Sequence, residues 1–531
     1  VSASGTSHRA DPARRTAYDA LRAVAQRDAY ANLLLPALLA ERGLTGRDAA
    51  LATELTYGTL RGQGSYDAVI DVCSDRPVGR IDPALRDVLR LGVHQLLATR
   101  IPAHAAVAAS VDLAKDVAGA RPSGFVNAIL RRVATRDREA WLAIVAPSRA
   151  EDPVGYLAVT HSHPPWVVAA MCDALGEERA GELAETEALL VADNSRPGVT
   201  LLAKPGQVGP GELATAGARP ARWSPYGAYL REGNPADVPA VADGRAAVQD
   251  EASQLAALAL ARAQITGPDQ LWLDMCAGPG GKASLLAGIA AGRGARLLAA
   301  DVQPHRAALA RAAMAGRAGR GAARVVGSAG GAGRVVVADG TSPAWRRGAF
   351  DRVLADVPCS GLGALRRRPE ARWRRRPRDI AGLGALQRRL LRAALGSVRP
   401  GGVVAYVTCS PHIDETHRVV EDVLSNANAT AAVTVLDAPA VLADMSAHGG
   451  AGLGASGFRE GPDAAGPGGS GLGGSGLSME ALSAEGLRSP RHPVQLAGAD
   501  LAGPGGGGYA QFWPHLHGTD AIFLALLRRD A

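Results

Sequence analysis

Leu271-Trp-Leu-Asp-Met-Cys-Ala-Gly-Pro-Gly-Gly-Lys282 passes from a short apolar stretch into a glycine-rich turn and then into a helical start. Glycines at 278, 280 and 281 let a ligand approach the backbone closely, and a helix beginning near Lys282 offers amide hydrogens with no intrahelical partner. The spacing is neither GxGxxG nor GxxxxGK[ST], so dinucleotide and Walker-type phosphate loops do not match. Around this string, short apolar runs alternate with helical patterns. Strands are expected at 271–275, 296–300, 334–338, 352–355 and 403–408, with a closing pair at 432–436 and 521–527. Such alternation predicts a parallel sheet covered on both faces, with its ligand crevice at the carboxyl ends of the strands.

Asp301, Asp339 and Asp356 each follow the end of one of these strands. A single aspartate in such a place is commonly a helix N-cap. Three in register favour an adenosine-containing cofactor: a carboxylate at the tip of the second strand, Asp301, suits both ribose hydroxyls, and Asp339 suits an adenine amino group. The absence of a phosphate loop favours S-adenosylmethionine over a nucleotide.

The fourth strand leads into Asp356-Val-Pro-Cys-Ser-Gly361 and the fifth into Thr408-Cys-Ser-Pro411. Cys73 and Cys172, and mostly Cys276, read as small buried apolar residues. Cys359 and Cys409 do not, because strand ends facing a crevice are poor places to bury a hydrophobe. Two thiols beside a methyl donor fit one chemistry well. Carbon-5 of cytosine is too weak a nucleophile to take a methyl group directly, but a thiolate adding to carbon-6 turns the ring into an enamine whose carbon-5 can attack. A proton must reach nitrogen-3 as the adduct forms, and Asp356 stands where it can supply or relay one. The thiolate needs an electropositive setting. The run Arg366-Arg-Arg-Pro-Glu-Ala-Arg-Trp-Arg-Arg-Arg-Pro-Arg378 follows immediately. One reading of it is a solvated basic loop. The other takes Arg366, Arg367, Arg368, Arg372 and Trp373 as RNA contacts, since guanidinium groups with an aromatic suit backbone contact plus base stacking.

Working outward, residues 14–140 read as consecutive amphipathic helices, five to seven in number, broken at Gly43, Pro77 to Gly79 and Ile101-Pro102. Residues 156–245 read as a small α/β connecting domain with proline-rich joints, and 248–531 as a C-terminal α/β Rossmann-like domain. Two Gly/Ala/Ser-rich stretches, 315–333 and about 449–476, read as mobile insertions in surface loops. At 531 residues the chain is long enough for two or three such cores. A net charge of +7 suits a polyanionic partner only weakly, and lysine occurs only at 115, 204 and 282, so nearly all of the basic excess is arginine. Five scattered cysteines suit a reduced cytoplasmic protein with no disulfide framework, and no cysteine or histidine spacing suggests a metal site. The first residues lack an apolar signal core and no long apolar run is present, so the expectation is no membrane contact, with nothing that forces oligomerisation beyond a monomer.

The motifs CAGPGGK at 276–282, DVPCSG at 356–361, RRPE at 367–370 and VTCS at 407–410 resemble those of the RNA 5-methylcytosine methyltransferases of the Sun/Nol/Nop family. That resemblance implies Cys409 as attacking thiol and Cys359 as the residue that assists release. It implies a cofactor pocket of Cys276, Ala277, Gly278, Pro279, Gly280, Gly281, Lys282, Asp301, Asp339 and Asp356. ELTYGTLR at 54–61, LRLGVHQL at 89–96, IPAHAAV at 101–107 and FVNAILR at 125–131 are similar to the all-α NusB-like domain fused to bacterial small-subunit rRNA methyltransferases. QDEASQ at 249–254 and WPHLHGTD at 513–520 also fit; the insert near 449–476 departs from the pattern. The implied substrate is 16S ribosomal RNA. Rival readings are the same chemistry on tRNA or another ribosomal site, and a non-catalytic RNA-binding or antitermination factor.

Overall fold

The computed structural model describes residues 10–27, 29–315, 333–425, 432–447 and 508–530. Within the two glycine-rich stretches, 316–332 and 449–476 lie outside the described residues. The N-terminal part is all helical: α1 (Pro12–Arg27), α2 (Ala31–Glu41), α3 (Gly46–Cys73), α4 (Pro83–Ala98), α5 (Ala103–Ala118), α6 (Ser123–Val133) and α7 (Arg138–Val145). The breaks fall at the punctuation read from the sequence. Gly43 adopts φ +63°, Pro77 to Gly79 enter a short 3-10 turn, and Pro102 precedes α5. Helix α4 starts at Pro83 because the Asp82 carboxylate accepts from the Ala84 amide at 2.8 Å, which meets one of the orphan donors of the first turn. The apolar faces meet in one core that includes Leu21, Leu55, Ile70, Leu89 and Leu130, each such side chain contributing about 2 kcal/mol by leaving water.

The stretch expected as one connecting unit divides in two. Helices α8 (Pro153–Thr160), α9 (Pro165–Leu175) and α10 (Ala184–Asn194) come first. Val167, Met171 and Leu189 of α9 and α10 share a core with Leu362, Leu365, Trp513 and Ala521, so these helices dock onto the C-terminal part. A small antiparallel sheet follows, of β1 (Val199–Ala203), α11 (Pro210–Thr215), β2 (Ala218–Pro220), β3 (Gly227–Leu230), α12 (Pro239–Ala242) and β4 (Ala246–Val248), in strand order β2-β3-β1-β4. Strand β4 pairs with β1 at Leu201↔Val248 and Ala203↔Ala246. It therefore occupies the joint that was read as falling between 245 and 248.

The C-terminal part comprises α13 (Glu251–Arg262), β5 (Leu271–Asp274), α14 (Gly281–Gly292), β6 (Arg296–Asp301), α15 (Pro304–Ala315), β7 (Gly333–Val337), β8 (Phe350–Asp356), α16 (Ala371–Arg374), α17 (Pro377–Ser397), β9 (Val398–Thr408), α18 (His417–Ser425), β10 (Val433–Leu436), α19 (Ala438–Ala447), β11 (Ala510–Gln511), α20 (Pro514–His517) and β12 (Phe523–Arg529). The sheet runs β10-β12-β9-β8-β5-β6-β7, and β11 pairs with β12. Strands β5 to β9 are mutually parallel, and β12 and β10 close the edge antiparallel. Burial alternates with a period of two: Trp272, Leu354, Val403 and Ala405 face one core with α13 and α14, while Leu273, Val353, Val404 and Tyr406 face another with α17 and α18. Both faces are covered, as a parallel sheet requires. The chain leaves β5 toward β6 and β7, then returns to β8 and β9 on the other side. The crevice thus opens at the carboxyl ends of β5 and β8.

Candidate active site

Four strand ends converge there. After β5, the loop 275–280 turns sharply and Gly278 donates its amide to Asp301 Oδ2 at 3.0 Å, while Arg306 donates to the Gly278 carbonyl at 2.5 Å. A Cβ on Gly278 would stand 2.6 Å from Asp301 Oδ2. On Gly280, at φ +112°, it would meet the Ala310 backbone at 2.7 Å. Only glycine fits either place. Asp301 is buried; its other oxygen accepts from the Gln303 amide at 2.9 Å, Oδ2 also forms an ion pair with Arg306 Nε at 3.6 Å, and each oxygen keeps a lone pair not used in a hydrogen bond. Asp339 is exposed and accepts from the Thr341 amide and hydroxyl at 2.8 Å each; those bonds hold its carboxyl below the usual range. It thus forms the local turn that aspartate after a strand often forms.

Lys282, the first cation of α14, places Nζ 2.9 Å from Asp356 Oδ2 at the end of β8. Burial opposes the ammonium, but the charge and hydrogen bond of Asp356 outweigh it and raise the Lys282 value. Beside this pair, Asp274 at the end of β5 is buried, and its Oδ2 has no hydrogen-bond partner. Burial, and then the charge of Asp356, push its carboxyl up to about 8. The Cys276 thiol is raised by burial and then by the charge of Asp274, which disfavours its thiolate.

Cys359 and Cys409 meet, with their sulfurs 2.8 Å apart and both residues partly exposed. The hydrogen bond from Cys359 lowers the Cys409 value; burial and Asp356 oppose this, and the cations of Lys282 and Arg368 assist it. The same bond, then burial and the Cys409 charge, raise Cys359 well above the ordinary thiol value. The pair titrates as a unit, and its surroundings favour Cys409 over Cys359 as the sulfur that gives up the first proton. The loops that carry them are pinned by Val357 N donating to Val407 O at 3.0 Å and Gly363 N to Cys409 O at 2.9 Å.

The arginine run corrects its expected role. Arg366 is buried and donates to the Gly518 carbonyl at 3.0 Å. Arg367 is bidentate on Asp520 at 3.1 Å and reaches Asp250 at 2.7 Å. Arg372 has no exposed surface and donates to the Ser162 carbonyl and to Asn194 Oδ1 at 3.1 and 2.8 Å. Trp373 lies over Gly64 of α3, where an added Cβ would stand 2.5 Å from the ring. These four tie the N-terminal helices, α8 to α10 and the 518–520 segment to the loop after Cys359; Arg366 and Arg372 are buried, while Arg367 and Trp373 are partly exposed and engaged in these contacts. Carboxylates distant in sequence claimed the charges, which a local reading of the run does not show. Arg368 differs: it is exposed, its guanidinium 4.9 Å from the centre of the Tyr30 ring.

Tyr30, Asp274 and Glu415 went unnoticed in the sequence. Asp274 sits inside the quoted string and could have been found as the inward residue closing an apolar strand; no one-dimensional signal marks the others. Among the described residues, no cluster of three or more His, Cys, Asp or Glu could hold a metal ion, and no helix is long and apolar enough to cross a membrane.

Two family models match the chain: 16S rRNA methyltransferase RsmB/F over residues 265–446 and the NusB family over residues 11–135. The putative methyltransferase Rv1407 of Mycobacterium tuberculosis is 45% identical over 98% of this chain and 97% of its own length. The probable ribosomal RNA small subunit methyltransferase B of Synechocystis is 32% identical over 78% of this chain and 89% of its own, and that of Bacillus subtilis 30% over 77% and 87%. Among solved structures, that of PH0851 superposes with a TM-score of 0.68 at 20% identity, covering 97% of this chain and 98% of that one, which supports the fold.

Proposed function

The chain belongs to the 16S rRNA methyltransferase RsmB/F family, and from that premise we propose that it transfers a methyl group from S-adenosylmethionine to carbon-5 of a cytosine in 16S ribosomal RNA through a covalent bond to Cys409. The observation that carries this is the pair of sulfurs in contact at 2.8 Å, in surroundings that lower the Cys409 value and raise that of Cys359.

The residues present fit the cofactor. The buried Asp274 oxygen without a partner and the free lone pairs of Asp301 face a loop that only glycine can close. Asp301 would hold the ribose hydroxyls, the 276–282 loop the backbone-facing side, and Asp339 the adenine amino group. Bound there, S-adenosylmethionine supplies an electrophilic methyl group. Cys409 adds through sulfur to carbon-6, and the Lys282–Asp356 pair relays a proton to nitrogen-3, which leaves carbon-5 electron-rich. Once carbon-5 carries the methyl group, a base must take its remaining proton. With the Cys409 sulfur bonded to carbon-6 its negative charge is gone, so Cys359 can give its own proton to solvent and, as thiolate, take the one from carbon-5. The carbon-6 to sulfur bond then breaks, the double bond re-forms, nitrogen-3 returns its proton and Cys409 leaves as thiolate. Arg368 on Tyr30 lies beside this loop and offers an exposed guanidinium plane to an RNA base.

The test uses 16S ribosomal RNA and radiolabelled S-adenosylmethionine. Cys359→Ala should accumulate a protein–RNA adduct that runs as a slow band on a denaturing gel. Cys409→Ser should give neither adduct nor methylation, while its cofactor affinity stays near wild type. Turnover by the Ser variant, or no adduct with the Ala variant, refutes the reading.

A further inference from the structure

The two cysteine loops are joined by a side chain that belongs to neither. Glu415 closes the 3-10 turn Ile413–Glu415 after β9 and is fully buried. Its Oε1 accepts from the Ser360 amide at 2.8 Å and from Gln387 Nε2 at 3.0 Å; its Oε2 accepts from the Ser360 hydroxyl at 2.5 Å and the Ser410 hydroxyl at 2.6 Å. Ser360 and Ser410 directly follow Cys359 and Cys409, and their hydroxyl oxygens lie 3.0 Å apart. Gln387 Nε2 also donates to the Pro358 carbonyl at 2.9 Å, and the Tyr406 hydroxyl fixes the Glu415 backbone through its carbonyl at 2.7 Å. All four donors to the carboxylate are neutral, and a carboxylate can only accept. Placing such a group in a core is costly, so the site is built around it.

We propose that Glu415 is a positioning residue that assigns the two sulfurs their roles: it clamps Ser360 to Ser410 so that the thiols stay in contact, and it sets its negative charge on the Cys359 side of the pair. With a negative neighbour, Cys359 is the sulfur that keeps the shared proton. Cys409, with Lys282 and Arg368 as its cations, is the sulfur left bare. This role for Glu415 rests on Cys409 being the attacking thiol, and it explains why the two cysteines, in loops that follow adjacent strands at the same end of the sheet, are not interchangeable.

The full-length chain is alkylated with iodoacetamide across a pH series, without RNA, and the two cysteine peptides are followed by mass spectrometry. In the wild type Cys409 should react first, with a midpoint below that of an ordinary thiol. Glu415→Gln, which keeps the shape and removes the charge, should lower the Cys409 to Cys359 rate ratio by about tenfold, chiefly by moving the Cys359 midpoint down by about one pH unit. Glu415→Asp, which keeps the charge but spans the serines poorly, should retain part of the preference. An unchanged ratio in the Gln variant overturns the assignment, and so does an equal loss in the Gln and Asp variants, which would place the effect in packing alone. Should the Gln variant not fold, the wild type decides: if Cys359 reacts first, or the two react alike, Glu415 does not sort them. Because no RNA is present, a wild type that shows the preference yet forms no RNA adduct would refute the methylation chemistry and leave the role of Glu415 standing.

Discussion

The Cys409 value is lowered by a thiol that donates to it, against burial and an anion that oppose this, with two cations assisting. The thiol is in direct contact, so it dominates, and the cations act through a partly dry pocket where their fields are weakly screened. Lys282 is the nearer to the cofactor loop and the one that removal would isolate most cleanly. The reactive form exists above the thiol pKa, and a cation lowers that value by favouring the anion. Lys282→Met should therefore shift the acidic limb of the single-turnover methylation profile to higher pH by roughly one unit, with the rate only partly recovered on the alkaline side because Asp356 alone must then serve nitrogen-3. A rate that falls equally at all pH values would assign Lys282 to cofactor binding instead. Lys282 was legible as the end of the glycine turn. Its pairing with Asp356, 74 positions on, was not, because nothing local distinguishes one aspartate after a strand from another.

Strand-to-helix connections carry the cofactor loop, and here the reading from sequence held closely. The expected strands lie within a few residues of those observed, since period-two burial is a property of the chain itself. Strand β9 is the exception: it begins at Val398, five residues earlier than expected, although Pro400 and two glycines interrupt the pattern. The register shift between Phe350 and Arg352 of β8 absorbs that interruption as a bulge. The turn after β5 has no such slack. Gly280→Ala would force a side chain into left-handed backbone and against Ala310, at about 1–3 kcal/mol. Calorimetric titration should show S-adenosylmethionine binding weakened by at least about tenfold, with a lowered Tm. Unaltered affinity would separate the loop from the cofactor.

The N-terminal helices and the C-terminal sheet form one molecule largely through a basic segment that looked like a surface feature. Arg367 reaches Asp250 and Asp520, 117 and 153 positions away, and Arg372 sits in a wholly buried nest beside Asp193. Neither carboxylate oxygen of Asp193 has a partner, and burial, opposed by the charge of Arg372, pushes its carboxyl up to about 7. An acid whose folded value exceeds its unfolded one loses protons first in the unfolded chain. It therefore withdraws stability as pH rises from about 4 to about 7, and no further above that. Asp193→Asn is neutral throughout, so its Tm relative to wild type should climb across that window and then level off in differential scanning calorimetry. A constant difference would show that the carboxyl is ionised in the seam at every pH.

The order of residues along the chain determined the helical and sheet-forming segments, the glycine turn, and two reactive thiols at neighbouring strand ends, because periodicity, turn chemistry and motif spacing are local properties. Tertiary structure alone decided that the two sulfurs lie in contact, which carboxylate meets Lys282, and where the arginines spend their charge. Each of those depends on the distance between groups far apart in sequence, and charge interactions depend on that distance and on burial rather than on order.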